Sequence, residues 1–479
     1  MMPDIQVDVA IIGAGTAGMR AYREVSRITD SVLLIEGGPY GTTCARVGCM
    51  PSKLLIAAAD AAHHGRHADR FGIHFGAPRI DGRAVMKRVR DERDRFVGFV
   101  VDAVENWFHA HRVREYAEFA ADDLLKLSDG RTVAAERVIV ATGSRPAIPP
   151  PFEAFGDRLL TNDDIFSWQD LPGSAAVFGG GVIGLELGQA LHRLGVRVTL
   201  FGKGGIVGPL SDPEVIAAAR GIFEAEFPFH ADADFERLGR TETGIEVAYK
   251  AGGESRTETF NVGVVATGRR PNVDRLALEN TSLELDARGV PVHDPMSGRC
   301  GQSTIFIAGD ATSTVPLLHE AADEGFVAGW NAAHYPDVRR FTKSAGLSVV
   351  FSNPQLMMVG ERHADLVAKG VKFRAGAVNW SDQGRARVMG VNKGLLRVYG
   401  ECDTGRFLGA EMIGPRAEHL AHLLAWARQS ELTVGEMLER PFYHPVLEEG
   451  VRSALRSLDY ELGMGPAPPP RCIDCGPGG

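Results

Sequence analysis

Residues 7–18 are VDVAIIGAGTAG, an apolar run that leads into three glycines spaced Gly-x-Gly-x-x-Gly and then into a helical pattern. A strand, a tight glycine turn and a helix in this order let backbone amides approach a pyrophosphate at the helix N-terminus. The next apolar run ends at Glu36, 23 positions after Gly13, where a ribose-binding acid is expected. Gly13, Gly15, Gly18 and Glu36 therefore predict a dinucleotide-binding fold, against the alternative of a glycine turn with a surface glutamate.

The same pattern starts again at residues 175–184, AAVFGGGVIG, which contain Gly179, Gly181 and Gly184. Counting 23 positions from Gly179 reaches Gly202, so the acid equivalent to Glu36 is missing and Lys203 follows. An acid at this point holds a free 2′-hydroxyl, so its replacement beside a cation slightly favours NADP over NAD. The alternative is that Lys203 is simply solvated.

A second sequence motif, which contains Ala-Thr-Gly, recurs at the end of each copy. Residues 138–146 are VIVATGSRP and residues 264–271 are VVATGRRP. The chain therefore contains an internal duplication, which predicts an α/β fold with two Rossmann-like domains. The glycine turn and the ATG phrase are 128 residues apart in the first copy and 87 in the second, so the first copy carries an insertion.

Two thiols lie in that insertion, in residues 41–55, GTTCARVGCMPSKLL. Five residues of helix rise about 7.5 Å, which exceeds the Cα separation of a disulfide, roughly 4.4 to 6.8 Å. If Cys44 and Cys49 bond, the backbone around Gly48 must depart from an ideal helix. A bond of this kind is easily reduced and suits redox chemistry. The alternative is a pair of unrelated buried thiols.

Two further candidate site residues are Asp310, an acid, and His444, a base. The apolar run at residues 304–309 delivers Asp310 at its end, either to hold a ligand hydroxyl or to cap a helix that starts near Leu317. His444 precedes a proline, which disfavours helix at His444 and suits the first turn of a helix over residues 446–462. With Glu448 and Glu449 in that first turn, His444 is either an acid/base held by a carboxylate or a structural cap.

Composition limits the class of protein. Hydrophobic residues make up 44% and charged residues 24% of 479 residues, which is typical of a globular protein. We expect no membrane span, because no uncharged apolar run reaches about 18 residues, and no secretory signal. The net charge of −9 gives no footprint for nucleic acid. Six cysteines are too few for a secreted scaffold, so we expect a cytoplasmic protein whose cysteines serve redox or metal chemistry.

Together these motifs resemble the pyridine nucleotide-disulfide oxidoreductases, the flavoprotein family of dihydrolipoamide dehydrogenase, glutathione reductase and mercuric reductase. The resemblance runs from Val7 to about Leu462, and five phrases occur in the family's order. The family implies FAD at the first glycine turn and NAD(P) at the second. It implies a homodimer whose active site is shared between subunits, and no metal site. Beside the glycines, Glu36 and Lys203, the residues that it assigns to cofactor binding are Thr43, Lys53, Thr142, Gly143, Glu186, Gly268, Asp310, Leu317 and His319.

The resemblance also implies catalytic roles. Cys44 would be the interchange thiol that meets the substrate, and Cys49 would face the flavin. Lys53, ion-paired with Glu186, would assist hydride arrival at the flavin. His444, oriented by Glu449, would serve as acid/base for the thiols of the partner subunit.

The predicted domains follow the family. Residues 1–150 and 275–345 would form the FAD-binding domain, residues 151–274 the NAD(P)-binding domain, and residues 346–463 an α+β dimerisation domain. Residues 464–479 are predicted to be a flexible Pro/Gly-rich tail that carries Cys472 and Cys475. Three interpretations of Cys472 and Cys475 remain open: a third redox pair, incidental thiols, or a weak metal-binding pair.

The leading hypothesis is therefore a FAD-dependent dithiol/disulfide oxidoreductase of the dihydrolipoamide dehydrogenase type. The alternative is an NADPH-dependent reductase of a protein disulfide, a small disulfide or a metal ion, which uses Cys472 and Cys475 as a relay. A third possibility is a non-catalytic assembly partner that keeps FAD as structure, which the retention of Cys44, Cys49, Lys53 and His444 disfavours.

Overall fold

The computed structural model describes residues 2–464. The α-helices of this part are α1 Thr16–Val25, α2 Thr43–Val47, α3 Cys49–Arg66, α4 Gly82–Glu105, α5 Asn162–Ile165, α6 Val182–Arg193, α7 Pro213–Glu224, α8 Leu318–His334, α9 His363–Ala368, α10 Gly384–Val388, α11 Ala417–Gln429, α12 Val434–Leu438 and α13 Glu448–Leu462.

The β-strands of the same part are β1 Ile5–Ile12, β2 Val32–Ile35, β3 Arg112–Val113, β4 Ala117–Ala121, β5 Leu124–Leu127, β6 Thr132–Val140, β7 Ser144–Pro146, β8 Leu159–Leu160, β9 Ser174–Phe178, β10 Arg197–Phe201, β11 Phe229–His230, β12 Asp234–Arg240, β13 Ile245–Ala251, β14 Glu254–Phe260, β15 Val262–Val265, β16 Arg269–Pro271, β17 Ile305–Ile307, β18 Leu347–Val350, β19 Gln355–Gly360, β20 Phe373–Asn379, β21 Leu395–Glu401 and β22 Phe407–Gly414.

The chain divides into two compact units. The first contains the residues up to Pro51, Arg88–Ala147 and Gly268–Lys343. Its 7-stranded sheet has the order β3-β2-β1-β6-β5-β4, with β17 also paired to β6. Strands β1, β2, β6 and β17 run parallel, so the glycine turn after β1 and Asp310 after β17 lie at the same edge of the sheet. This is the first of the two expected Rossmann-like folds.

The second unit contains Ser52–Lys87, Ile148–Thr267 and the residues from Ser344 onward. Its parallel 5-stranded sheet has the order β11-β10-β9-β15-β8, and β12, β13 and β14 form a separate antiparallel sheet. A second 5-stranded sheet, β18-β19-β22-β21-β20, is antiparallel and shares a core with α11 and α13. The predicted α/β class, with two dinucleotide-binding folds and a C-terminal α+β domain, is confirmed, whereas the predicted domain boundaries remain a prediction.

The two glycine turns make the same close contact with the backbone that follows the ATG strand. A Cβ at Gly13 would lie 2.3 Å from the carbonyl oxygen of Ala141, and a Cβ at Gly179 would lie 2.2 Å from that of Ala266. Both glycines have positive φ, +109° and +124°, a conformation that favours glycine. The two turns therefore require glycine for the same two reasons, close approach and backbone conformation.

Candidate active site

The first glycine turn lies at the N-terminus of α1. A Cβ at Gly18 would lie 1.8 Å from the carbonyl oxygen of Gly13, so α1 packs directly on the turn. Gly15, in contrast, has no heavy atom within 4 Å of a Cβ position. The turn is thus closed on the protein side and open at Gly15, where backbone amides at a helix N-terminus can receive a phosphate.

Glu36 is half-buried at the end of β2. Its Oε2 accepts a hydrogen bond from the amide of Ala14 at 2.8 Å, and its Oε1 accepts one from the amide of Gly38 at 2.7 Å. These amides fix the carboxylate beside the glycine turn, as a ribose-binding acid requires. A freely solvated surface glutamate would lack both bonds.

The ATG phrase of the first copy faces the same sheet edge. Thr142 places a buried hydroxyl there that has no hydrogen-bond partner among residues 2–464, a condition that is costly unless a ligand satisfies it. Gly143 follows with φ +68°. A phosphate-accessible turn, a fixed acid and an unsatisfied hydroxyl on one sheet edge fit a bound FAD.

Asp310 follows β17 in a short 3-10 helix, Gly309–Thr312. Its Oδ2 accepts a hydrogen bond from the hydroxyl of Ser144 at 2.6 Å, and Arg269 Nε lies 3.9 Å from the same oxygen. The helix-cap alternative is wrong, because the N-cap of α8 is Leu317 and no side chain caps that helix. Leu317 itself is half-buried, and His319 is exposed in the first turn of α8.

The second glycine turn repeats the first. A Cβ at Gly184 would lie 1.8 Å from the carbonyl oxygen of Gly179, and Gly181 has no heavy atom within 4 Å of a Cβ position. Gly268, in the second ATG phrase, has φ +120° and an equally open Cβ position. Lys203 is exposed. The open Gly181 at the N-terminus of α6 fits the pyrophosphate of a second dinucleotide.

The two thiols lie on consecutive helices. Cys44 is in α2, which begins at Thr43, and Cys49 begins α3; Gly48 separates the helices with φ −126° and ψ −118°. The expected departure from ideal helix at Gly48 is confirmed. Cys44 is half-buried and Cys49 is exposed.

Lys53 lies one turn after Cys49 on α3. Its Nζ donates to Oε1 and Oε2 of Glu186 at 2.9 and 2.8 Å. The Glu186 carboxylate is buried, at 4% exposure, and also accepts the amide of Phe351 at 2.9 Å. The Phe351 ring centroid lies 4.6 Å from Nζ, within the range of a cation–π contact. Lys53 therefore has a fixed position and a partner that stabilises its charged form. Sequence reasoning missed Phe351, which belongs to no motif.

His444 and Glu449 form the expected pair. The imidazole Nδ1 lies 3.0 Å from Oε1 and 3.2 Å from Oε2 of Glu449. Glu449 is 4% exposed and accepts the amide of Val446 at 3.1 Å, whereas the His444 side chain is 58% exposed. Helix α13 begins at Glu448, two residues later than expected, and no side chain caps it. The proline after His444 therefore precedes the helix, and the cap alternative for His444 is wrong.

For the tail cysteines, a metal site and a membrane span, the outcome is limited to the described residues. Cys472 and Cys475 lie outside the described residues. Within residues 2–464 no group of three or more His, Cys, Asp and Glu side chains is arranged to hold a metal ion. No helix of the same part has the length and apolar character needed to cross a membrane.

Comparison with known proteins supports the assignment. Residues 7–325 match the family model described as pyridine nucleotide-disulphide oxidoreductase, and residues 347–455 match the dimerisation domain of the same family. The dimerisation domain supports a homodimer. The chain is 31% identical over 468 residues to the dihydrolipoyl dehydrogenase of Halobacterium salinarum, covering 95% of this chain and 96% of that protein. It is 30% identical to the dihydrolipoyl dehydrogenase of Thermus scotoductus, covering 94% of this chain and 97% of that protein.

Solved structures show the same fold. The crystal structure of LpdA from Mycobacterium tuberculosis superposes with a TM-score of 0.80 at 24% identity, covering 94% of this chain and 99% of that chain. The Cu(II) complex of the HOCl-induced flavoprotein disulfide reductase RclA from Escherichia coli superposes with a TM-score of 0.78 at 21% identity, with the same coverage. The chain therefore belongs to the pyridine nucleotide-disulphide oxidoreductases and is a FAD-dependent oxidoreductase enzyme.

Proposed function

We propose that the chain passes electrons between NAD(P)(H) and a thiol or disulfide substrate, through FAD and the Cys44–Cys49 pair, in the manner of dihydrolipoyl dehydrogenase. The observation that carries this proposal is the break in the helical backbone at Gly48. A continuous helix would hold the Cα atoms of Cys44 and Cys49 too far apart for a disulfide, and the break removes that restriction. Relatives about 30% identical that are named dihydrolipoyl dehydrogenase support the same activity.

FAD, when bound, accepts a hydride from the nicotinamide and gives two electrons to the disulfide. The protein side of the cycle is thiol chemistry. In the reducing direction, two electrons and two protons open the Cys44–Cys49 disulfide. The Cys44 thiolate then attacks one sulfur of the substrate disulfide and displaces the other as a thiol. Cys49 attacks Cys44 in turn, which restores the disulfide and releases the second thiol. Oxidation of a dithiol substrate is the reverse sequence.

Lys53 and His444 take complementary parts. Lys53 would place a fixed positive charge, oriented by Glu186, beside the flavin ring, where it stabilises negative charge as hydride arrives. His444 would accept and return the thiol proton, and Glu449 stabilises the imidazolium that forms. In a homodimer of this family, His444 would act on the thiols of the other subunit. The dimer would then be required for turnover.

The coenzyme is expected to be NAD(P)(H), with a slight preference for NADP(H), because the second fold lacks an acid at Gly202 and exposes Lys203. We propose a cytoplasmic enzyme, because six cysteines in 479 residues are too few for a secreted disulfide scaffold. We expect no nucleic acid among its partners.

A second candidate function is favoured by Cys472 and Cys475. An NADPH-dependent reductase that uses these cysteines as a relay would act on a protein disulfide, a small disulfide or a metal ion. The fold similarity to RclA, a disulfide reductase solved as a Cu(II) complex, fits this alternative. From Gly463 to Cys472 an extended chain could span about 30 Å, enough for such a relay to reach a neighbouring active site.

Steady-state rates separate the two. Dihydrolipoamide with NAD⁺ or NADP⁺ would be compared with NADH or NADPH and a panel of disulfides. The leading proposal predicts efficient dihydrolipoamide oxidation that a Cys472→Ser/Cys475→Ser double variant retains. Loss of turnover in that variant would favour the relay instead. No turnover with any thiol or disulfide, together with no NADPH-dependent reduction of a metal ion, would remove both.

A further inference from the structure

The loop after β10 is tightly joined to the residues after β11. The amide of Gly202 donates to the carbonyl oxygen of His230 at 2.7 Å, and the amide of Ala233 donates to that of Gly202 at 3.0 Å. A Cβ at Gly202 would lie 2.6 Å from the carbonyl oxygen of Ala231, closer than real Cβ contacts allow. Position 202, the equivalent of Glu36, therefore has no room for an acidic side chain.

In the second fold, a carboxylate from the residues after β11 takes the position that Glu36 occupies in the first fold. In the first fold the amide of Gly38 donates to Glu36 at 2.7 Å. The equivalent amide in the second fold is Gly204, 25 positions after Gly179 as Gly38 is after Gly13. Gly204 donates to Oδ1 of Asp232 at 2.7 Å. The two folds thus hold a carboxylate on the equivalent backbone amide, supplied by the first residue after β2 in one fold and by the second residue after β11 in the other.

Asp232 and Lys203 are both exposed. They place opposite charges on the loops that follow β11 and β10. A carboxylate accepts the 2′-hydroxyl of a ribose and repels a 2′-phosphate, whereas an ammonium group attracts that phosphate. The two residues therefore act in opposite directions on coenzyme choice.

Asp232 also lines an open cavity of about 1200 Å³ that Arg220 and Arg256 share. Each of these arginines has a carboxylate partner close in sequence, Glu224 at 3.3 Å and Glu254 at 2.7 Å. Their charges are thus balanced locally, and Lys203 is the cation on the loop that Asp232 contacts.

We propose, on the basis of the proposed function, that Asp232 is a coenzyme-selecting residue of the second dinucleotide fold. It takes the ribose-binding place of the missing acid, accepts the 2′-hydroxyl of NAD(H), and opposes the attraction of Lys203 for the 2′-phosphate of NADP(H). The preference for NADP(H) is consequently only slight.

The test is equilibrium binding to the FAD-loaded enzyme by calorimetry, with ADP-ribose and 2′-phospho-ADP-ribose as probes. Neither probe carries a nicotinamide, so the result is independent of turnover. Asp232→Asn keeps an oxygen for the Gly204 amide and removes the charge. We expect the ratio of the two dissociation constants to move about fivefold toward the phosphorylated probe. The matched control, Asp234→Asn, removes the same charge from β12 and should leave the ratio within about twofold.

An unchanged ratio in Asp232→Asn, or an equal shift in Asp234→Asn, would overturn the proposal. A second variant tests the steric argument: Gly202→Glu should lower the melting temperature without gaining selectivity for ADP-ribose. A Gly202→Glu enzyme that melts like the wild type and becomes selective would contradict it. If Asp232→Asn shifts the ratio but no thiol or disulfide is turned over, the proposed function fails and the role of Asp232 stands.

Discussion

Glu186 holds Lys53 with both carboxylate oxygens, at 2.9 and 2.8 Å, although the two residues are 133 positions apart. The pair joins α3, which begins at Cys49, to α6, which begins at the second glycine turn. Lys53 and Glu186 both belong to the second compact unit, so a single ion pair fixes this part of α3 to the first turns of α6.

Removing the charge of Glu186 should slow reduction of the flavin. In Glu186→Gln the lysine loses the carboxylate that orients it, so we expect flavin reduction by NAD(P)H at least about tenfold slower. Stopped-flow absorbance under anaerobic conditions measures this rate. Glu242→Gln, at an exposed position between β12 and β13, is the control and should react like the wild type. A wild-type rate in Glu186→Gln would show that the pair has no part in hydride transfer.

His444 should matter only after the flavin is reduced. His444→Gln removes the acid/base, so turnover of thiol or disulfide should fall by about 10²- to 10⁴-fold, while flavin reduction by NAD(P)H keeps its rate. Glu449→Gln should show a smaller loss of turnover than His444→Gln, because the imidazole stays in place but loses the carboxylate that orients it. Equal slowing of both half-reactions in His444→Gln would contradict the assignment.

Two glycines offer a matched pair of variants. A Cβ at Gly15 or at Gly181 meets no protein atom within 4 Å, so alanine at either position should leave the fold intact. Gly15→Ala should lose FAD, because the methyl group occupies the path of the phosphate, while Gly181→Ala should keep FAD and bind NAD(P)⁺ more weakly. Flavin absorbance per polypeptide and calorimetric titration report the two losses. Full FAD content in Gly15→Ala would contradict the placement of the pyrophosphate.

His63, in α3, should make the protein sensitive to acid. Burial and the nearby Arg193 guanidinium lower the pKa of His63 from its ordinary value of 6.5 to about 3. The unfolded chain therefore binds more protons than the folded chain between these values, and stability falls as the pH drops from about 6.5 toward 3. Melting temperatures across this range should fall less steeply in His63→Gln than in the wild type. Parallel curves would show that His63 is not responsible.

The sequence was sufficient for the recurring motifs, because each imposes a local physical requirement. The glycine turns and the break at Gly48 follow from backbone conformation, and Glu36 and the His444–Glu449 pair follow from spacing along the chain. Contacts between distant strands had no such signal. Glu411, fully buried in β22, accepts the amides of Ser211, Asp212 and His363 at 2.6, 2.8 and 2.9 Å. No motif places it there.

Asp232 also has no sequence signal, because its role depends on a contact between two distant parts of the chain. It follows a strand of 2 residues, and only the tertiary fold brings its carboxylate to the amide of Gly204. The sequence shows that position 202 lacks an acid, but the carbonyl oxygen that excludes one belongs to Ala231, which follows β11. Thr42 is a further case: its φ of +54° is rare for a side chain with a branched Cβ, and composition gives no warning of it.

The central claim is that electrons leave the flavin through Cys44 and Cys49. Its most direct test is anaerobic titration of the FAD-loaded enzyme with NADPH or NADH, followed by absorbance, in the wild type, Cys44→Ser and Cys49→Ser. The account predicts a long-wavelength thiolate–flavin charge-transfer band in the wild type and in Cys44→Ser, and no such band and no disulfide turnover in Cys49→Ser. A Cys49→Ser enzyme that keeps the band, or that still turns over disulfides, would contradict it.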